Sequence, residues 1–326
     1  MSAVIKTNQL TKIFGAIKAV DNLNLTVEHG EIFGLLGPNG AGKTTTVGML
    51  TTIVKPTSGT AEVNGYSISA EPGRVRKSVG IVFQDLSLDS MLTGRENLEL
   101  SAQLYGVSRN QRRQRIDELL ELVKLTGRAD SQVKTYSGGM KRRLELVRGL
   151  LHRPKVLFLD EPTLGLDPQS REVIWEYIGA MAAAEGTTIV LTTHYMEEAE
   201  QMCDRIAIID HGQVIKEGTP EALKQAVGGD MVYIRSAHLS EASIKALSFV
   251  KRIQIDDGRA AIMVEKASAN LPDLLAVLGP IDSVEVHSPT LNDVFLAYTG
   301  RHIRDEAASS SWFDDAMRVS IQGNNR

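Results

Sequence analysis

The sequence predicts an α/β protein of two domains, a doubly wound core with a parallel sheet followed by a small α+β domain. Three observations predict it. A buried strand, Ile32 to Leu36, runs into the glycine-rich turn Gly37-Pro38-Asn39-Gly40-Ala41-Gly42 and then into a helix, Lys43 to Leu50. Two further apolar runs, Val156 to Asp160 and Thr188 to Thr192, flank a helix from about Pro168 to Ala184, the pattern of parallel strands buried on both faces. From Gly228-Gly229 onward the order becomes βαββαβ, the outline of a small ferredoxin-like sandwich.

In chain order, Val4 to Leu10 and Leu23 to Glu28 alternate apolar and polar residues and read as an antiparallel edge sheet. Gly59 to Val63 and Ser78 to Gln84 are further strand segments. From Thr93 to Thr126 the period turns helical, with Leu98, Leu119, Leu120 and Val123 between Arg-rich faces, so a helical subdomain is expected. Beyond the glycine pair come strand Met231 to Arg235, helix Glu241 to Leu247, and strands Val250 to Asp256 and Arg259 to Glu265 about a turn at Asp257-Gly258. Helix Leu271 to Leu278 and strand Ser283 to His287 complete the order. The expected domains are residues 1–228 and 229–300, with a Ser-rich stretch at 301–326 that reads as a flexible tail.

The 326 residues carry 36 Lys and Arg against 40 Asp and Glu, a net charge of −4, so the overall balance recommends neither nucleic acid nor an anionic membrane as partner. Cys203 is the single cysteine, which excludes an intrachain disulfide and a cysteine-based zinc site and fits a cytosolic protein. The start MSAVIKTNQL lacks the order of a targeting segment, and no uncharged apolar run approaches the length that spans a bilayer. A membrane role is therefore expected to come through a partner.

The turn at 37–42 has a chemical purpose. Glycines at 37, 40 and 42 let successive backbone N–H groups curl around phosphate oxygens at the positive end of the following helix. In this pattern Lys43 reaches the β- and γ-phosphates and Thr44 ligates Mg²⁺, with Pro38, Asn39, Ala41 and Thr45 completing the nucleotide cradle. An ordinary glycine-rich turn is the alternative, and the flanking strand and helix argue against it. Val156-Leu157-Phe158-Leu159-Asp160-Glu161 delivers two acids to the carboxyl end of a buried strand, where parallel sheets keep their ligands. Asp160 is expected to hold Mg²⁺ through a water, and Glu161 to orient or deprotonate an attacking water. A surface turn with two solvated acids fits so apolar a strand less well. Ser137, Gly138, Gly139 and Met140 precede the cationic helix start Lys141-Arg142-Arg143, aiming a second set of N–H groups and a helix dipole at an anion. Alone, such a Ser-Gly-Gly reads as readily as a plain N-cap.

Taken in order, GPNGAGKTT at 37–45, Gln84 after SVGIVF, YSGGM at 136–140, VLFLDEP at 156–162, GLDP at 165–168 and His194 after TTIVLTT resemble the nucleotide-binding domain of ABC transporters. The resemblance spans about residues 4–225 and implies a P-loop NTPase fold that binds Mg²⁺ and ATP and hydrolyses the latter. It implies that Gln84 touches Mg²⁺ and the attacking water and passes the nucleotide state to a partner, and that His194 contacts the γ-phosphate. Asp167 is implied at the contact between subunits, Phe14 against the adenine and Val20 beside the sugar. Ser137 to Met140 are implied to serve the ATP of another subunit, so that two copies form a head-to-tail homodimer with a nucleotide in each seam. From the residues alone, Gln84 also reads as a strand cap, His194 as a satisfied strand-end histidine and Phe14 as a core residue. Tyr136 and Met140 depart from the family pattern, where Leu and Gln are usual; the backbone donors survive, and a polar side-chain contact at position 140 does not.

Ser288 to Gly300 is similar to the end of antibiotic-resistance exporter ATPases of the daunorubicin-resistance type, and is also an amphipathic helix with Leu291, Val294, Phe295 and Tyr298 on one face. The expectation is a cytoplasmic ATPase held at the inner face of the membrane by a separately encoded, multi-spanning ABC-2-type permease that exports a drug, antibiotic or lipid-like compound. Its docking segment is expected at about 85–105. Alternatives are an importer or an ion or polysaccharide exporter ATPase of the same superfamily, a soluble clamp on nucleic acid or ribosome, and a P-loop kinase. A single phosphate loop without heptads disfavours the clamp, and a kinase leaves Ser137 to Met140 unexplained.

Overall fold

A computed structural model describes residues 3–236, 240–256, 259–278 and 280–299; the tail expected at 301–326 and the turn expected at Asp257-Gly258 lie outside the described residues. Strands β1 (Ala3–Phe14) and β2 (Ile17–Leu23) form a hairpin with Phe14 opposite Ile17 and Gly15 at φ 56° in the turn. Sequence reading ends the first strand at Leu10 and misses β2, because Ala19-Val20-Asp21-Asn22 does not alternate; the tight turn at Gly15 makes both strands possible. Next come β3 (Thr26–Glu28), β4 (Ile32–Leu36), helix α1 (Lys43–Leu50), β5 (Ser58–Val63), β6 (Tyr66–Ser67), α2 (Pro72–Ser78) and β7 (Val79–Val82). The first sheet has the order β2-β1-β5-β6, with β3 also on β1.

The helical subdomain is α3 (Gly94–Leu104), α4 (Arg109–Leu122) and α5 (Gly138–Arg148). Helix α3 starts at a capping box, in which the Thr93 side chain accepts from Glu96 N–H and the Glu96 carboxylate from Thr93 N–H. Leu98, Leu119, Leu120 and Val123 are buried, as their spacing predicts.

Then follow β8 (Val156–Asp160), α6 (Pro168–Glu185), β9 (Thr188–Thr193), α7 (Met196–Met202), β10 (Arg205–Asp210) and β11 (Gln213–Gly218). The second sheet runs β11-β10-β4-β9-β8-β7, and β10, β4, β9, β8 and β7 are mutually parallel. Leu36 pairs with Thr193 and Asp160 with Thr192, so the carboxyl ends of β4, β9 and β8 lie side by side. The expected α/β class is borne out, and β10 and β11 extend it beyond the strands read from the sequence. Val4, Val20, Phe33, Val47, Val63 and Phe158 belong to one buried cluster, which fixes the loop between β4 and α1 to the sheets beneath it.

The chain divides into two compact units between Glu217 and Gly218, ahead of the Gly228-Gly229 pair where the sequence suggests a boundary. Helix α8 (Pro220–Val227) accounts for the difference, because it packs on the last described helix, α11 (Leu291–Thr299). Between them lie β12 (Asp230–Arg235), α9 (Glu241–Lys245), β13 (Val250–Asp256), β14 (Arg259–Val264), α10 (Ala267–Leu278) and β15 (Ser283–His287). The antiparallel order β13-β14-β12-β15 is that of a ferredoxin-like sandwich. One core of the unit gathers Val232, Ile234, Ile244, Ile262, Leu274 and Leu278, and α11 buries Leu291, Val294 and Phe295.

Candidate functional site

The loop between β4 and α1 is shaped by its neighbours. A Cβ at Gly37 would stand 2.2 Å from Ile209 O on β10, and one at Gly42 would stand 2.4 Å from Ala19 O on β2. Gly42 also caps α1 at φ 101°, in the left-handed region. These two glycines are therefore required by the chain's own packing, a reason the sequence alone does not show; at Gly40, with φ 82°, the space is open.

Lys43 is buried and its Nζ donates to Gly37 O at 2.7 Å and Pro38 O at 3.2 Å. The same ammonium stands 3.3 Å from Glu161 Oε1. Burial pulls its pKa down against the opposing field of Glu161 and Asp160. Thr44 Oγ1 donates to Asp160 Oδ1 at 3.1 Å, and Thr192 Oγ1 donates to the same oxygen at 2.6 Å. Glu161 Oε2 lies 3.0 Å from His194 Nδ1. Burial pushes the Glu161 carboxyl up, but His194 and the Lys43 charge together outweigh it and hold the group below its ordinary value. Glu161 also has φ 47°, a strained conformation for a bulky residue. Its N–H donates to Thr192 O and Oγ1, fixing it from the side of β9.

Lys43, Thr44, Asp160, Glu161 and His194 thus form one cluster at the carboxyl edge of three adjacent parallel strands. Residues 20–164 match the ABC transporter family, and residues 218–299 match the C-terminal domain of DrrA1-3-like ATP-binding proteins. Over 326 aligned residues the chain is 39% identical to the daunorubicin/doxorubicin resistance ATP-binding protein DrrA of Streptomyces peucetius, covering 94% of this chain and 96% of that one. The chain belongs to the ABC transporter ATP-binding family. It is also 37% identical to the linearmycin resistance ATP-binding protein LnrL of Bacillus subtilis, over 93% of this chain and 100% of that one. The dimeric structure of MJ0796, a bacterial ABC transporter cassette, aligns with a TM-score of 0.60 at 30% identity, covering 66% of this chain and 98% of that one. The protein is an ABC ATPase.

Other predicted site residues of this ABC ATPase stand apart from the cluster. No hydrogen bond or ion pair among the described residues joins the side chains of Phe14, Gln84, Ser137 or Asp167 to it. Phe14 is exposed, with Lys12 Nζ 4.7 Å from its ring centroid, so it is no core residue. Val20 has no exposed surface, because β2 turns it into the core against Gly42; the expected packing beside a sugar is corrected on that ground. Gln84 is exposed just beyond β7. Asp167 is exposed and caps α6, its oxygens accepting from Ser170 N–H and Oγ–H, which lower its pKa.

Ser137 caps α5, its Oγ accepting from Met140 N–H at 3.3 Å. Ser137 and Gly138 are exposed, and a Cβ added at Gly138 or Gly139 meets nothing within 4 Å. Tyr136, by contrast, is buried; its hydroxyl donates to Arg128 O at 2.6 Å and fills the space that a Cβ at Gly94, the first residue of α3, would need.

Two residues escape the sequence reading. Thr192 bridges Asp160 and the Glu161 backbone, and its signal is the pair of hydroxyls, Thr192-Thr193, that closes the apolar run Ile189 to Leu191. Arg142 is buried rather than facing an anion, and an arginine in register with the apolar face of α5 is the signal that could have found it.

Proposed function

We propose that this ABC ATPase works as a homodimer in which each ATP is held between the loop of one copy and Ser137 to Met140 of the other, and that its hydrolysis drives a multi-spanning permease. One observation carries the reading: the chain has two glycine-rich helix starts suited to an anion, and at the second the glycines face open space. Symmetric pairing of two copies supplies each site with both. The similar MJ0796 cassette is dimeric, which supports this assembly.

Within a site, Lys43 and the loop N–H groups bind the phosphates, and His194 holds Glu161 toward them. Glu161, kept ionised, accepts a proton from the attacking water at its carboxylate. The Thr44 hydroxyl and Asp160 carboxylate, 3.1 Å apart, are hard oxygen donors of the kind Mg²⁺ takes, and there the ion would neutralise phosphate charge. Gln84, exposed beside this edge, reports the nucleotide state to the partner. Phe14 offers an exposed ring for stacking on adenine, and Asp167 lies on the surface between copies.

No helix among the described residues is long and apolar enough to cross a membrane. The docking surface for the permease is the segment around α3, where Leu86, Met91, Leu100, Leu104 and Tyr105 are exposed. The chain then sits on the cytoplasmic face of the membrane. Relatives named for daunorubicin and linearmycin resistance support export of a hydrophobic or amphipathic compound. Co-expression with the permease tests this. Leu104, 80% exposed, is replaced by Glu: the variant should keep its own ATPase activity and lose co-purification with the permease. Wild-type co-purification of L104E would move the docking surface, and a chain that captures no multi-spanning membrane protein would contradict the transport reading.

A further inference from the structure

Arg142 sits in the first turns of α5, one turn from the Ser137 cap, yet its side chain points into the protein. All its donors are used on backbone carbonyls. Nε donates to Pro162 O at 2.6 Å, one terminal nitrogen to Phe83 O at 2.8 Å and Gln84 O at 3.3 Å, and the other to Glu161 O at 3.0 Å and Asp160 O at 3.4 Å. A guanidinium has five N–H donors in a fixed fork, so the side chain is saturated. Burial lowers its pKa, and the surrounding carboxylates Glu145, Glu198 and Asp160 oppose that.

These carbonyls belong to the two segments that carry Gln84, Asp160 and Glu161. Glu161 is the residue held at φ 47°, and such strain persists only where surroundings over-determine it. Thr192 fixes its N–H from β9, and Arg142 fixes its carbonyl from α5. The far side of the same loop is pinned too: Thr163 Oγ1 donates to the buried Glu198 at 2.9 Å, as does Trp175 Nε1 at 3.0 Å. Of these restraints, only Arg142 comes from the helix that begins at Ser137.

We propose that Arg142 is a positioning residue that sets the Glu161 backbone according to where α5 lies, so that a nucleotide bound at Ser137 by the other copy governs the base at this copy's own site. The inference rests on the head-to-tail reading above and adds the side chain through which the two sites communicate. A rigid fork gripping both segments moves them with the helix. A lysine, with three donors on a flexible stem, cannot grip both.

The test uses the full chain with Mg·ATP and the variants R142K and R142Q. R142K should keep ATP affinity and thermal stability near wild type, lose about a hundredfold in kcat with KM changed less than about twofold, and lose the cooperative dependence of rate on ATP. R142Q should show the same split more severely. Unchanged turnover and cooperativity in R142K would overturn the proposal. So would a parallel loss of affinity, stability and turnover in R142K, which would assign Arg142 to folding alone. ATP-driven dimer formation is measured alongside in E161Q; its failure would remove the head-to-tail reading itself, whereas a normal dimer with an unaffected R142K removes only the role of Arg142.

Discussion

Two helix starts in this chain look alike in sequence and differ in what surrounds them. At the start of α1, Gly37 and Gly42 are pressed by Ile209 O and Ala19 O, and Lys43 is buried against Glu161. At the start of α5, Gly138 and Gly139 have open space where a side chain would go, and Ser137 is exposed. The first nest is closed by the protein's own strands; the second has no such internal reason for its glycines. The difference teaches that the same backbone chemistry can be shaped by intramolecular packing in one place and left open in another.

Removing the proposed base should have the largest consequence. Glu161→Gln should lower turnover about a thousandfold while leaving ATP binding in place, measured by phosphate release and by equilibrium titration. Undiminished turnover would take Glu161 out of its role. The same variant tests the electrostatics of the first nest. Because the Glu161 pKa is lowered on folding, its pairing stabilises fully above the ordinary carboxylate value and is lost as pH falls through the lower folded value. Acid unfolding of E161Q should therefore depend less on pH in that window than acid unfolding of the wild type.

Lys43→Ala should weaken ATP binding by about 2 kcal/mol or more, since it strips a buried charge from the cradle. Unchanged affinity in a calorimetric titration would break the comparison at its closed end.

A paired glycine experiment sharpens it most. Gly37→Ala should destabilise the isolated chain by about 1–3 kcal/mol through overpacking against Ile209 O. Gly139→Ala should leave the melting temperature of the isolated chain unchanged and lower ATP turnover instead. Equal melting temperatures for both variants would erase the distinction. Smallest of all, Tyr136→Phe removes the hydroxyl bond to Arg128 O and should cost about 1 kcal/mol in denaturant unfolding.

The parts of the site legible in the sequence are those encoded by short-range order. A strand, a glycine turn and a lysine at the next helix start announce themselves within one segment, as do the acids ending Val156 to Asp160. What escapes depends on which strands become neighbours. Thr192 matters only because β9 lies beside β8, and the need for glycine at 37 and 42 appears only once β10 and β2 are in place. The expectation for Val20 fails for the same reason: without the β1–β2 hairpin its side chain has no direction. Arg142 reads as one of three successive cations until the packing of α5 buries it.

The most direct measurement is the mass of Glu161→Gln in solution with and without Mg·ATP, by sedimentation or light scattering. Two nests that share one nucleotide predict a monomer without ATP and a dimer with it, the dimer being lost when Ser137→Arg blocks the open helix start. A chain that stays monomeric at saturating ATP, alone and with the proposed permease, would contradict the account.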